Sequence, residues 1–479
     1  MTVARLSIYR FIWPALLGMC SALMAILFAY SPLKYTIGFS LILVFGLIVA
    51  ILKSHHRMNL LTFLLIFTIP VNLDVNFLVE KHVGGAASIS ISVTLCVALI
   101  LFFMTIRERI SSNRLYVGPE GSALIIFILC GLLSLINAMY PMFTFLEIVR
   151  LLMLGFVMLT VLNISDGNLL KKIGVFTAVA VIFQSILAML QFFLKSFPPP
   201  AMDIFALKTI KELFPGQKVH RAMGTLGHPN FLGYYLEMTL PLILGIFISS
   251  WKSSVRLLSG VAFILGTVAL ILSKSRGAWV AYPFAMAGTV FLTYGKSIIR
   301  KNVFVKILGL AFLGIALIVS FSPFIIERFL GKDYQAMAVR MPLNKAALSI
   351  ISQFPVFGVG LNNFSEVFKT YDVTGHAMIF RGYKHVVHNI YLLVATETGI
   401  VGLMAFLGIF AVPLFRAIKV FKYSGDEKSR GIVAGAIMGI CAHLIHGLID
   451  PGFIVSPTAS YLMFFMIGFV GAFSKAVVK

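Results

Sequence analysis

An all-α, polytopic transmembrane helical bundle of about 14 spans, with 12 as the alternative count, is the fold class this sequence predicts. Three observations carry it. The 479 residues are 59% hydrophobic and only 12% charged, with a mean hydropathy of +0.99. A soluble domain is nearer half apolar and a quarter charged. The apolar residues fall in long runs, and about fourteen runs of bilayer-spanning length use roughly 58% of the chain. Third, Lys and Arg collect on alternate connections, as membrane insertion requires. A soluble enzyme, a secreted disulfide scaffold and a disordered chain are excluded.

In chain order the spans fall at 11–30, 34–52, 59–72, 88–106, 122–139, 144–163, 172–194, 230–250, 256–272, 277–295, 304–322, 389–415, 431–449 and 456–474. With both termini cytoplasmic, the inside segments are MTVARLSIYR, KSHHRMN, RERISSNR, SDGNLLKK, WKSSVR, GKSIIRKNVFVK, RAIKVFKYSGDEKSRG and SKAVVK. Each carries at least two cations, while the outside YPMF and DPGFIVSP carry none. The net charge of +22 thus belongs to cytoplasmic loops rather than to nucleic-acid binding. The start of the chain lacks a small-residue cleavage site and reads as a retained first span. Cys20, Cys96, Cys130 and Cys441 sit inside apolar runs and read as packing residues.

The organisation is therefore N-terminal transmembrane helices (1–195), a first long periplasmic loop (196–229), central transmembrane helices (230–322), a large periplasmic loop (323–388) and C-terminal transmembrane helices (389–479). Loops of that length are usually functional. In the second, Leu343, Ala347, Ile350, Ile351 and Phe354 recur at helical spacing and predict an amphipathic helix that ends before Pro355.

Chemistry-bearing residues are concentrated on the outer side. His82, His220, His228, His376, His385 and His388 fall there, with His443 and His446 near an outer helix end. Outer cations include Lys218, Arg221, Lys274, Arg276, Arg340 and Arg381. Positive charge on the disfavoured side calls for a polyanionic partner. Arg276 in LSKSRGAW begins a span directly after another ends, so it reads either as a snorkelling anchor or as a phosphate clamp. The short connection favours the clamp.

Glu147 and Arg150, an i, i+3 pair below the outer surface, are either a self-neutralising packing pair or part of a substrate site. Glu237 and Glu397 have the same two readings. His220, Arg221, Gly224, Gly227, His228 and Asn230 precede a span whose Pro229 start offers free N–H groups to an anion. His388, beside Asn389, is either a capping residue or a functional imidazole. Asp450, four residues after His446, either orients that histidine or pairs with the helix end. No spacing calls for a metal, and no cofactor is expected. A basic, His-bearing outer site suits a lipid pyrophosphate, with arginines on the leaving diphosphate and a neutral His as base.

At these residues the sequence resembles the bacterial O-antigen ligases and polymerases of the O-antigen-ligase-related superfamily. The resembling pieces are RAMGTLGHPNFLGYYLEM, SKSRGAW, VRMPLNKAALSIISQFPVFGVGLNNF, HNIYLLVATETGIVGL and HLIHGLID, in that order. His228 stands where the family commonly has Asn, so no role is carried onto it. The resemblance implies an inner-membrane glycosyltransferase with a periplasmic active site, independent of metal and inverting at the anomeric carbon. It would move a glycan from undecaprenyl pyrophosphate to lipid A–core or to a lipid-linked glycan. It makes His388 the base, places Arg276 and Arg221 on the pyrophosphate, and adds Arg340 as a further contact. Lys274 and Arg150 are further binding candidates, with His446, Asp450, Asn389 and Glu397 in supporting positions. A glycolipid flippase or transporter and a protein O-oligosaccharyltransferase are the alternatives.

Overall fold

A computed structural model describes residues 54–71, 73–109, 115–164, 168–194, 221–295, 334–375, 385–421 and 427–478, with scattered positions between 297 and 326. The spans expected at 11–30 and 34–52, most of that at 304–322, and the loop stretches 196–220 and 376–384 lie outside the described residues. The chain divides into two compact units, Met1–Leu60 with Phe197–Leu207, and Leu61–Ser196 with Lys208–Lys479. The description below concerns the second, apart from Ser54–Leu60 at the start of the first helix, which belong to the first.

Its helices are α1 (Ser54–Thr68), α2 (Val93–Arg109), α3 (Gly118–Leu133), α4 (Pro141–Asn163), α5 (Leu169–Leu194), α6 (Pro229–Ile248), α7 (Ser253–Leu272), α8 (Arg276–Tyr294), α9 (Tyr334–Gln353), the single turn α10 (Phe364–Val367), α11 (Ile390–Phe421), α12 (Glu427–His446), the single turn α13 (Gly452–Val455) and α14 (Pro457–Val478). Among the described residues, eight are long and apolar enough to cross a membrane: α3 with its 3-10 extension, α4, α5, α6, α7, α11, α12 and α14. The expected span at 277–295 is present as α8 but is not among those eight.

The all-helical expectation misses one feature. Strands β1 (Asp74–Phe77) and β2 (Ile89–Ser92) form an antiparallel hairpin. The alternating Ser-Ile-Ser-Ile-Ser of 88–92 has the period of a strand, so the span expected from residue 88 begins as β2 and becomes helical at Val93.

At the centre, α6 packs on α12 with their backbones nearly touching. Gly431, Gly435 and Gly439 recur every fourth residue, and a Cβ on any of them would collide with the α6 backbone at Gly245, Pro241 or Met238. Small residues at this spacing let membrane helices approach closely. His443 is the next position on that stripe. α8 flanks the same pair, and α14 lies against α4 and α11.

The amphipathic helix expected in the large loop is α9. Leu343, Ala347 and Ile350 are fully buried, whereas Ile351 and Phe354 are half-buried. The chain beyond it inserts into a break in α11. Gly399 has φ 70° and ψ −174°, and a Cβ there would collide with the Val356 carbonyl. The break frees the carbonyls of Thr396 and Glu397, which accept from the N–H groups of Val359 and Gly360 at 3.0 Å each. Buried backbone groups away from water need such partners.

Two ends of the bundle differ in chemistry. At one end Arg416 donates to Glu120 and to the Tyr116 hydroxyl, and Lys475 lies 4.2 Å from the Tyr116 ring centre. Arg256, Lys419 and Lys428 lie at this end as well. The opposite end collects the starts of α4, α6, α8, α11 and α14 and the finish of α12. Tyr140 N–H donates to Asn363 there, and Ile390 N–H to the Gly447 carbonyl.

Candidate functional site

At the second end, the start of α6 is capped by its own sequence. His228 Nδ1 accepts from Asn230 N–H at 3.1 Å, and Pro229 occupies the first turn, where no N–H is missed. Burial pushes the His228 imidazole down to about 4, and the nearby Arg221 acts in the same direction while Asp450 opposes it. A neutral ring is what an accepting Nδ1 requires.

Arg221 is held on two sides. Its Nε donates to the Ser273 carbonyl at 2.9 Å, and a terminal nitrogen donates to Asn230 Oδ1 at 2.6 Å. The other end of the Asn230 amide donates to Asp450 at 3.2 Å. Tyr234, one turn further along α6, is near enough to Asp450 to feel its charge. The loop before α6, the turn between α7 and α8 and the end of α12 are thereby tied into one structure.

Arg276 is the first residue of α8, half-buried. Lys274 precedes it in a left-handed backbone conformation with φ 51° and is buried. Such a conformation costs a non-glycine residue about 1–2 kcal/mol, and strain of this kind gathers at functional sites. Directly behind Arg276, a Cβ on Gly277 would collide with Nε2 of His446.

His446 is fixed from below by Glu237. Its Nδ1 lies 2.7 Å from one carboxylate oxygen, and His443 Nδ1 lies 2.7 Å from the other. All three side chains are buried. Tyr234 meets both imidazoles edge-on, with ring centres 5.1 Å and 4.9 Å away. Of the two readings of Asp450, the helix-end pair is present, the Asp450 N–H donating to the His446 carbonyl at 3.1 Å, while the His446 ring is held by Glu237 and the Asp450 carboxylate accepts from Asn230.

His388 lies just before α11. It is half-buried, and among the described residues its Nδ1 has no hydrogen-bond partner. Burial holds its pKa below the ordinary value, Asp450 opposes that, and Arg340 on α9 and His385 reinforce it. His385 is itself lowered by burial and by Lys369. The neighbouring Asn389 is structural. Its Oδ1 caps α11 at the N–H groups of Tyr391 and Leu392, and its amide donates to the Leu448 carbonyl.

Two candidates lie apart from this cluster in their bonding. Arg150 donates through Nε to both oxygens of Glu147, and through another nitrogen to the Ile454 carbonyl at 2.8 Å and to Ser460 at 3.2 Å. Glu147 also accepts from Ala86 N–H at 2.7 Å. Glu397 is buried at the α11 break, where it accepts from Phe364 N–H at 3.2 Å. Among the described residues no group of three or more His, Cys, Asp or Glu side chains is arranged to hold a metal ion.

The sequence reading passed over Tyr234 and the shared bonding of Glu237 to His443 and His446. The signal for the latter is in the chain: three glycines at four-residue spacing lead to His443, and His446 follows three residues later on the same face.

With this geometry in view, residues 261–407 match the model of the O-antigen ligase family. The match runs from within α7 into α11 and contains Lys274, Arg276, Arg340, His388, Asn389 and Glu397. Arg150, Arg221, His446 and Asp450 lie outside it. An uncharacterized protein of Haemophilus influenzae (strain ATCC 51907 / DSM 11121 / KW20 / Rd) is 26% identical over 200 residues, 39% of this chain and 49% of the relative. The chain thus spans about half the length of that curated relative. The O-antigen ligase family match and the eight apolar helices together make this an integral membrane protein.

Proposed function

We propose that this protein is a glycosyltransferase that moves a glycan from undecaprenyl pyrophosphate to an acceptor at the outer face of the bacterial inner membrane. The observation that carries the reading is the gathering of Arg221, Arg340 and His388, whose Nδ1 has no hydrogen-bond partner among the described residues, around Asp450, with Arg276 next to the Gly277 that abuts His446. The positive-inside rule orients it. Arg256, Arg416, Lys419, Lys428 and Lys475 cluster at the far end of the bundle, which supports reading that end as cytoplasmic and the His388 end as periplasmic.

In this mechanism the arginines hold the diphosphate as negative charge develops on it. His388 takes the proton of the acceptor hydroxyl, and that oxygen forms the new glycosidic bond on the face opposite the departing diphosphate, inverting the anomeric carbon. The lowered pKa of His388 keeps the base neutral near pH 7. Asp450 then stabilises the imidazolium that results. Charge held by arginines leaves no step that needs a metal.

The O-antigen ligase family match favours lipid A–core as acceptor, and a second lipid-linked repeat unit would make the same chemistry a polymerase. Cells expressing Arg276→Ala or His388→Ala test the reading. Loss of surface glycan while lipid-linked donor still reaches the outer leaflet is the expected result. Loss of the donor from that leaflet would favour a flippase instead.

A further inference from the structure

A cavity of about 140 Å³ lies between the β1–β2 hairpin, α4 and the α13–α14 segment, and neither the transfer chemistry nor the family match accounts for it. Its lining mixes apolar residues, Met153, Leu154 and Ile454 among them, with polar ones that include Asp74, Ser88 and Tyr461. The polar groups of the hairpin are ordered by hydrogen bonds within it, from Ser90 to Asp74 at 2.6 Å and from Ser88 to Asn76 at 2.8 Å. Arg150 also borders the cavity, anchored by Glu147, the Ile454 carbonyl and Ser460.

We infer that this cavity is a glycan subsite that holds one sugar ring of the chain being joined. A cavity of about 150 Å³ holds the six heavy atoms of benzene, so this one seats the ring of a pyranose while part of its hydroxyl rim stays outside. A pyranose presents an apolar C–H face and a rim of hydroxyls, and the lining offers both kinds of surface. Carboxylate, amide, hydroxyl and guanidinium groups at the rim supply both acceptors and donors for those hydroxyls.

Position supports this assignment. Ile454, on the cavity wall, is four residues from Asp450, a span of at most about 14 Å for extended chain, and α13 shortens it by forming a helical turn. The cavity therefore lies within reach of a glycan whose reacting end is at His388. A lipid tail would have no use for the Asp74 and Arg150 charges. The assignment rests on the glycosyl-transfer reading and names the part of the site that recognises sugar.

The test reads occupancy rather than turnover. Full-length Ser88→Cys protein in lipid nanodiscs is treated with a small thiol reagent, and modification of the residue-88 peptide is followed by mass spectrometry. Two probes are compared: the oligosaccharide released by mild acid from the cells' lipid-linked donor, and the deacylated lipid A–core of the same cells. At a probe concentration ten times its dissociation constant, mass action slows labelling about tenfold. One probe is expected to do so, which also tells a donor subsite from an acceptor subsite. Ala87→Cys provides the same readout where Ser88→Cys fails to fold, and adding Ala87→Trp to Ser88→Cys fills the cavity and abolishes protection. Equal labelling rates with and without both glycans overturn the subsite. Protection without any transfer by the wild-type chain would retain the subsite and overturn the enzyme reading, while transfer without protection would do the reverse.

Discussion

Nδ1 of His446 lies 2.7 Å from Oε2 of Glu237, and the opposite side of that imidazole abuts Gly277, next to Arg276. A carboxylate inside the bundle is thereby coupled, through one ring, to the residue that begins α8. Since the other carboxylate oxygen holds His443, Glu237 sets the position of two histidines at once. Asp450 is left to face His388, Asn230 and Tyr234.

Removing Glu237 leaves two buried imidazoles without their partner. Each buried polar group left without its hydrogen bond costs about 1–3 kcal/mol. Glu237→Ala is expected to lower thermal stability in detergent strongly, and Glu237→Gln less so, because an amide oxygen still accepts one hydrogen bond. Equal melting behaviour of Glu237→Ala and wild type would contradict the coupling.

Gly277→Ala introduces one methyl group where His446 Nε2 already sits. The ring is held by Glu237, so α8 and Arg276 must shift instead. The expected outcome is a folded protein whose transfer rate falls by one to two orders of magnitude, the scale of a misplacement of about 1 Å. Expression and melting temperature distinguish this from unfolding.

The pH profile follows from the groups facing His388. A base works when neutral, so activity rises with pH through the His388 pKa and levels off above it. Burial lowers that pKa, so the rise lies below the ordinary histidine range. Asp450 raises it and Arg340 lowers it. Arg340→Ala is therefore expected to move the acid limb to higher pH, and Asp450→Asn to lower pH. Shifts in the opposite sense, measured as transfer rate against pH, would remove His388 as the titrating base.

At Gly399 the backbone is left-handed and the space for a side chain is taken by the Val356 carbonyl. Gly399→Ala is expected to push the 356–360 loop out of the α11 break and to expose the Thr396 and Glu397 carbonyls. Each unsatisfied buried group costs about 1–3 kcal/mol. Protease sensitivity within residues 356–363 measures this, and unchanged resistance would contradict it.

The apolar runs were legible because membrane spans are written in long windows of hydropathy. α9 was legible from the spacing of Leu343, Ala347 and Ile350. The hairpin was not, since two strands of four residues, Asp74–Phe77 and Ile89–Ser92, are too short to stand out beside a span. Single residues were readable as types but not as pairs. Asn389 and His388 look alike as outer polar residues, yet one caps a helix and the other has an unpartnered nitrogen. The His446–Asp450 spacing pointed to a local pair, and the contact with Glu237, 209 residues away, depends on how α6 meets α12. Close approach at Gly435 and Gly439 decides it, and that is tertiary information.

Central to the account is transfer of a glycan from a lipid pyrophosphate with His388 as base and Arg276 on the leaving group. The most direct measurement reconstitutes the purified protein in lipid with undecaprenyl-pyrophosphate glycan and lipid A–core, and analyses the products by mass spectrometry. Glycan joined to lipid A–core, lost in both His388→Ala and Arg276→Ala, is the predicted result, with lengthened lipid-linked glycan marking a polymerase using the same residues. No transfer to either acceptor by folded wild-type protein, or unimpaired transfer by His388→Ala, would contradict it.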